Sequence, residues 1–275
     1  MPDRDPIFDT PEGLPRLVEV MRRLRDPETG CPWDIEQDFG SITPYTVEEA
    51  YEVADAVERE AWGELEGELG DLLLQVVYHG QMGAEAGHFD TDSITRRVTT
   101  KMIDRHPHVF GAESRDKSAE QQTKDWEAAK AAERANSGET RTLDGVALGL
   151  PALLRALKLQ KRLSRVGFDW GATGPVLDKL VEEIGELKEA RETSQDETEA
   201  EFGDLLFVLV NLARHWDIDP EAALRRTNAK VERRFAAIED RLAKKGVSPT
   251  QATLDEMDAL WNEIKAGEKA QSQSG

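Results

Sequence analysis

Two acidic pairs in the second half of the chain have the spacing of metal ligands carried on helices. Glu183 and Glu186 are three residues apart, and Glu201 and Asp204 repeat that spacing after fourteen intervening residues. Side chains three apart share one helix face, so two packed helices would bring four carboxylates together. Such a concentration of negative charge is costly unless cations neutralise it. Because carboxylate oxygens favour hard ions, the pattern predicts a Mg²⁺ site, with Mn²⁺ as the alternative.

The same arrangement occurs upstream, at Glu49, Glu52, Glu68 and Asp71. A single Glu-x-x-Glu pair is usually a solvated helix face, because glutamate is a strong helix former. The paired spacing, present twice, favours metal binding over that interpretation.

Basic and aromatic residues follow each set of carboxylates. Lys230 and Arg234 lie one helical turn apart and would offer a triphosphate a point charge and a bidentate guanidinium. Trp261 could stack on a nucleobase or pack in the core, and both interpretations remain open. Lys179 lies one turn before Glu183 on the same predicted face, where the first half has Tyr45.

Composition narrows the function classes. The 275 residues include 55 acidic and 35 basic side chains, which give a formal net charge of -20. Because such a surface repels nucleic acid and anionic membranes, neither is expected as a partner. The single cysteine, Cys31, excludes an intramolecular disulfide. No signal peptide or membrane-length apolar run is visible, and a soluble cytoplasmic protein is predicted.

Helical periodicity dominates from Leu14 onward, and no segment alternates convincingly as a strand, so the predicted fold class is all-α. Thr43 is expected to cap one helix with Pro44 at its first position, and Asp92 or Ser93 to cap another. Residues 1–13 and the last dozen are expected to be a loose tail and a frayed end. The predicted helices cover about 14–25, 44–60, 63–86, 93–105, 119–135, 151–165, 175–192, 196–216, 220–245 and 254–267.

The second half repeats the landmarks of the first half in the same order. The offset is 134 residues from Glu49 to Glu183, 133 from Glu68 to Glu201 and 135 from Trp126 to Trp261, and Lys101 and Arg105 recur as Lys230 and Arg234. These similar offsets predict a duplication. We expect a first helical domain at 14–135, a linker at 136–149 and a second helical domain at 150–268.

Particular strings carry a resemblance to a known family. The chain resembles the MazG nucleoside triphosphate pyrophosphohydrolases from about Leu14 to Lys265. In the first half the resemblance lies in Gly30-Cys-Pro-Trp-Asp34, Glu48-Glu-Ala-Tyr-Glu52, Gly67-Glu-Leu-Gly-Asp-Leu-Leu73 and Arg105-His-Pro-His-Val-Phe110. In the second half it lies in Val166-Gly-Phe-Asp-Trp170, Glu182-Glu183, Gly203-Asp-Leu-Leu-Phe207 and Asn211-Leu-Ala-Arg214.

The resemblance implies a tandem repeat of two helical-bundle domains, in a homodimer that uses Mg²⁺ to split nucleoside triphosphates into monophosphate and pyrophosphate. It places the metal ligands on Glu183, Glu186, Glu201 and Asp204, and makes the second half the main catalytic copy. The first-half carboxylates would form a second metal site. Substrate contacts are implied for Lys179, Lys230, Arg234, Trp261 and Lys265.

Hydrolysis at the α-phosphate would need a base for the attacking water. Glu182 or a ligand carboxylate is the candidate, while Lys230 and Arg234 would hold the phosphate chain. Base and sugar preference, and the choice between house-cleaning and control of signalling nucleotides, remain open.

Two alternatives belong to other classes. The chain could be a regulatory or scaffolding helical protein with structural metal sites. It could also be a di-metal oxidoreductase, but Glu85-x-x-His88 is the single Glu-x-x-His pair of a type that needs two.

Overall fold

The computed structural model describes residues 5–112, 114, 116, 118, 121, 122, 125, 126 and 141–272, without the side chains of the last two. Within these ranges every regular element is a helix and no residue lies in a strand, which confirms the all-α class. The chain divides into two compact units, residues 1–130 and 131–275. Most of the predicted helix 119–135 and the predicted boundary after residue 135 lie outside the described residues, so the domain limits remain a prediction.

The first unit is organised around its longest described helix, α4, which packs on α1, α3 and α5. Its buried side chains share one cluster, formed by Met21, Ile42, Val77, Tyr78 and Met82. The described elements are a 3₁₀ helix (Pro6–Asp9), α1 (Leu14–Leu24), α2 (Pro32–Glu36), α3 (Phe39–Glu58), α4 (Trp62–Glu85), α5 (Thr91–Arg105) and α6 (Pro107–Phe110).

The second unit contains two packed helix pairs, α8 with α9 and α10 with α11, and α7 packs on both α9 and α10. Val176, Val208 and Leu212 are buried between α8 and α9. Ile238, Leu242, Leu260 and Ile264 form the core of the other pair. The described helices are α7 (Ala152–Arg165), α8 (Thr173–Ala190), α9 (Gln195–His215), α10 (Pro220–Ala243) and α11 (Leu254–Ser272).

The predicted start of α3 at Thr43 and Pro44 is wrong. The helix begins at Phe39, and Asp38 caps it: the Asp38 carboxylate accepts from the Ser41 backbone N–H at 2.8 Å, while the Ser41 hydroxyl accepts from the Asp38 N–H at 2.9 Å. Pro44 therefore lies inside the helix, in its second turn. This reciprocal cap satisfies two otherwise unpaired donors and outweighs the one helical hydrogen bond that proline cannot make.

The other predicted helix ends had mixed outcomes. Asp90 caps α5 instead of Asp92 or Ser93, and Ser93 supplies the reciprocal hydroxyl at 2.9 Å. Asp219 caps α10 by accepting from the Ala222 N–H at 3.0 Å, and Pro220 occupies the first helical position. The described part of the last dozen residues is helical and not frayed, because α11 continues to Ser272. At the other terminus the tail is partly ordered, since Asp5 pairs with Arg23 at 2.6 Å.

Each unit anchors the segment that follows its first α-helix to another helix, through hydrogen bonds that we call the anchor contacts. In the first unit Tyr78 on α4 donates its hydroxyl to the Asp34 carbonyl at 2.9 Å, and Arg25 donates to the same carbonyl and pairs with Glu85 at 2.7 Å. In the second unit Asp169 accepts from Arg214 of α9 at 2.5 Å. Apolar packing and these anchors together fix the helix pairs that carry the acidic residues. Among the described helices, none has the length and apolar character of a membrane span.

Candidate metal and nucleotide site

The α8–α9 pair brings three of the four predicted second-half ligands into one cluster. One carboxylate oxygen from each of Glu183, Glu186 and Glu201 lies within 4.8 Å of the others, which is close enough for one ion to contact all three. Asp204 is exposed one turn beyond Glu201 on α9 and adds its negative charge to the same group. The structure thus joins helices that are separated in sequence, as the repeated spacing predicts.

Glu183 is the buried member of this cluster, with 4% of its surface exposed. Its Oε1 atom accepts from Lys179, but its Oε2 atom is buried and has no hydrogen-bond partner. A buried carboxylate oxygen without a donor is costly, because it has lost water and gained nothing. The donor set is made of carboxylate oxygens and one of them is unsatisfied, which fits a hard divalent cation.

Lys179 lies within the cluster as its cationic member. Its ammonium is 2.8 Å from Glu183 Oε1, 2.9 Å from Glu182 Oε1 and 3.6 Å from Glu186 Oε2. These hydrogen bonds, first with Glu183 and then with Glu182, raise the pKa of Lys179 above its usual value. Lys179 therefore carries its charge at the place where the sequence predicts a metal ion.

The remaining negative charge of the cluster affects the pKa of Glu201. Burial raises the pKa of its carboxyl, and the charges of Glu186, Asp204 and Glu183 raise it further, against a smaller opposing effect of Lys179. A raised carboxyl pKa means that the folded chain disfavours the ionised form there. A single lysine therefore does not neutralise the cluster.

The first unit builds a matching cluster on α3 and α4. Oxygens of Glu49, Glu68 and Asp71 lie within 4.8 Å of one another. Burial raises the pKa of Glu49 and of Glu68, and their acidic neighbours, Glu52 among them, raise both further. At the position that Lys179 occupies in the second unit, Tyr45 instead contacts the Trp33 ring edge-on, with centroids 6.4 Å apart.

Four of the five predicted substrate residues lie on α10 and α11, while the fifth, Lys179, lies on α8 among the carboxylates. The Arg234 guanidinium lies over the Trp261 ring, 5.1 Å from its centroid. Arg234 also makes two hydrogen bonds to Glu268 Oε2, at 2.6 and 2.9 Å. Lys230 is half-buried one turn before Arg234, and Lys265 is exposed one turn beyond Trp261.

The first unit repeats the arginine–tryptophan pair. Arg105 lies over the ring of Trp126, 5.9 Å from its centroid. The equivalent residues were recognised from their spacing, and the structure gives both pairs the same stacked contact. This likeness supports the duplication independently of the carboxylates.

Sequence reasoning missed Glu268 as the partner of Arg234. Glu268 lies in the last dozen residues, which are predicted to be frayed. No proline follows it, and the one nearby glycine, Gly267, precedes it. That uninterrupted stretch was the available signal. Glu183 was predicted as a ligand, but its burial and its orphaned oxygen could not be read from spacing.

Comparisons with known proteins agree with this arrangement. The MazG nucleotide pyrophosphohydrolase domain matches residues 37–110 and 175–237, one copy on each carboxylate cluster, and confirms the tandem repeat. The nucleoside triphosphate pyrophosphohydrolase of Escherichia coli is 48% identical over 93% of this chain and 98% of its own length. The nucleoside triphosphate pyrophosphohydrolase/pyrophosphatase MazG of Thermotoga maritima is 40% identical over 92% and 96%, respectively. The chain belongs to the MazG family of nucleotide pyrophosphohydrolases, as its sequence resemblance predicts.

Proposed function

We propose that this chain hydrolyses nucleoside triphosphates to monophosphate and pyrophosphate at the α8–α9 cluster, with Mg²⁺ as its cofactor. The observation that carries the proposal is the buried, unpartnered Oε2 of Glu183 beside Glu186 and Glu201. The curated relatives named as nucleoside triphosphate pyrophosphohydrolases support the same reaction.

Glu183, Glu186, Glu201 and Asp204 would hold the cation. When bound, Mg²⁺ supplies charge neutralisation at the phosphates and lowers the pKa of a bound water. The four carboxylates keep the site negative enough to retain that ion, while the apolar contact of Val176 with Val208 and Leu212 keeps the two helices in register.

Basic residues would then orient the phosphate chain. Lys230 and Arg234 share one face of α10, where a guanidinium can grip two phosphate oxygens and an ammonium can add a point charge. Trp261 would stack on the base. Its ring already contacts one planar group, the guanidinium of Arg234, so a ring face is accessible to a planar partner. Lys265, exposed one turn beyond Trp261, would add a further point charge for the phosphates.

Glu182 is the proposed general base. It is exposed and bonds Lys179 through one oxygen, so the other oxygen can accept a proton from water. In Glu182→Gln we expect kcat to fall by about 10²-fold with metal affinity unchanged. An unchanged kcat would move the base to one of the ligand carboxylates.

The decisive experiment measures pyrophosphate release from a nucleotide panel by wild type, Glu68→Gln and Glu201→Gln, each with Mg²⁺ and with EDTA. We expect Glu201→Gln to abolish release and Glu68→Gln to retain most of it. Normal turnover by Glu201→Gln would refute the second-half site. Including oxidised, deaminated and signalling nucleotides in the panel separates house-cleaning from control of signalling.

A homodimer is proposed from the apolar residues that the second unit leaves exposed. On α8 Val181 is 71% exposed, and on α9 Phe202 is 52% exposed, next to Leu206 and Leu209. Phe202, Leu206 and Leu209 recur at helical spacing on one face of α9, and an exposed apolar face of this kind usually marks an interface. Light scattering on the eluted protein should give twice the mass of the chain, and a monomeric mass would contradict the proposal.

A further inference from the structure

The position of Lys179 sets the two carboxylate clusters apart. In the second unit its ammonium approaches three carboxylates, and two of them, Glu183 and Glu186, are proposed metal ligands. In the first unit the equivalent residue is Tyr45, which carries no charge and leans towards Trp33. Two clusters with the same ligand pattern therefore differ in one internal cation.

An ordinary surface ion pair would not explain this arrangement well. Lysine placed four residues before glutamate is the weaker orientation on a helix. Lys179 is also shared among three acceptors, and the best of them, Glu183, is buried. Its ammonium lies where a divalent ion would bind and neutralises part of the same negative charge. The ammonium and the metal ion would repel each other strongly at a few ångströms, because solvent is partly excluded there.

We propose that Lys179 is the resident counter-cation of the second-half metal site and leaves the carboxylates when metal and triphosphate bind together. The inference rests on the proposed function. The four-carbon stem of lysine can swing its ammonium away from the metal and towards the phosphates. The triphosphate then replaces the negative partners that Lys179 gives up, so metal and substrate strengthen each other's binding. Among the described residues, no such cation lies in the first-half cluster, which would bind free metal without that dependence.

The test follows Mn²⁺ binding through loss of the free-ion electron paramagnetic resonance signal, with no turnover involved. The first-half cluster is silenced by Glu49→Gln/Glu68→Gln in the full chain. In this background Lys179→Met should bind Mn²⁺ about ten-fold more tightly without nucleotide. A triphosphate with a methylene bridge between the α- and β-phosphates should tighten Mn²⁺ binding about ten-fold with Lys179 present and much less in Lys179→Met.

Lys188→Met is the matched control. It removes the same charge from the same helix, but Lys188 is exposed and lies two residues beyond Glu186, on a different face. We expect less than a two-fold change in Mn²⁺ affinity. A tightening equal to that of Lys179→Met would reduce the effect to net charge and overturn the inference.

The reciprocal variant, Tyr45→Lys, is measured with the second cluster silenced by Glu183→Gln/Glu201→Gln, and should weaken Mn²⁺ binding. Unchanged affinity in Lys179→Met or in Tyr45→Lys overturns the inference and leaves the proposed function standing. A first-half-silenced chain that binds no Mn²⁺, with or without nucleotide, overturns both. Thermal unfolding in EDTA verifies folding, and Lys179→Gln replaces any Lys179→Met that fails to fold.

Discussion

The Glu183→Gln variant tests whether the Glu183 carboxylate serves metal binding or the stability of the fold. Glu183 is 4% exposed, accepts one ion pair from Lys179 at 2.8 Å and leaves Oε2 without a donor. The change removes a buried charge and replaces the orphaned oxygen with an amide NH₂ group, which can donate to the neighbouring Glu186 and Glu201 carboxylates. If the residue serves the metal, the metal-free protein should not lose stability when the charge is removed.

The magnitude follows from two opposing contributions. The lost lysine pair is worth about 0.5 kcal/mol for neighbours on one helix, and Lys179 keeps Glu182 at 2.9 Å. Relief of an unsatisfied buried polar atom contributes about 1–3 kcal/mol. The free energy of unfolding should therefore rise by about 1–2 kcal/mol, which is a Tm increase of about 2–8 °C for a unit of this size.

The assay is calorimetric unfolding in EDTA, with pyrophosphate release measured in Mg²⁺ on the same samples. We expect the second-unit transition to move upward while activity is lost. Glu189→Gln, an exposed change on α8, is the control and should alter neither quantity. A Tm that falls by 5 °C or more, corresponding to about 2 kcal/mol, would mean that the ion pair supports the fold, and would refute this reasoning.

Variants of two residues that contact Arg234 and of Glu85, which pairs with Arg25, give three further predictions. Glu268→Gln should lower KM about three- to ten-fold, because Arg234 no longer bonds a carboxylate that competes with phosphate. Trp261→Leu should raise KM about ten-fold or more through loss of base stacking. Glu85→Gln should lower the free energy of unfolding at pH 7 by about 1–3 kcal/mol, because the Arg25 side chain, 8% exposed, loses its single carboxylate partner among the described residues.

The Glu85 effect also has a predicted pH dependence. Burial raises the pKa of Glu85, but hydrogen bonds from Arg25 and Gln81 outweigh it, so the pKa is lowered overall. A lowered carboxyl pKa gives stability that is fully present above the unfolded value of about 4.3 and is lost as pH falls through the folded value. Urea unfolding should show a smaller difference between wild type and Glu85→Gln at pH 3 than at pH 7.

Controls for these variants come from the same chain. The exposed Glu263 pairs with Arg241 between α10 and α11, so Glu263→Gln should leave KM unchanged. A KM shift there equal to that of Glu268→Gln would attribute the effect to net charge. If Trp261→Leu changes Tm but not KM, the ring is a core residue and the stacking assignment is wrong.

The helices and the ligand pattern could be predicted because both depend on local spacing. Apolar residues at helical intervals placed α4 and α9 within a residue or two of their observed ends, and three-residue spacing put Glu183 and Glu186 on one face. The start of α3 was missed because two competing caps lie within six residues, and only the hydrogen bonds of Asp38 with Ser41 decide between them.

The site was predicted less fully than the helices because its key contacts link distant parts of the chain. Glu268 reaches Arg234 across 34 residues, and no local rule relates them. Lys179 was placed on the correct face, but spacing alone cannot tell whether its ammonium contacts carboxylates or substrate. The first-half counterpart of this lysine, Tyr45, differs in charge, and that difference became informative only when both clusters had been located.

The anchor contacts differ between the two halves, with Arg25 and Glu85 in the first and Asp169 and Arg214 in the second. This difference can help a duplicated chain to avoid misfolding. Repeats in one chain risk pairing a segment of one copy with the other copy during folding. If the first-half segment carrying Arg25 docked on α9, the position equivalent to Glu85, 133 residues on, would be Ile218, past the end of that helix at His215. The guanidinium would then face an apolar side chain and lose its carboxylate partner. Because the anchor contacts differ, a segment of one half cannot form its ion pairs on a helix of the other half. This difference disfavours incorrect pairing of the two halves during folding.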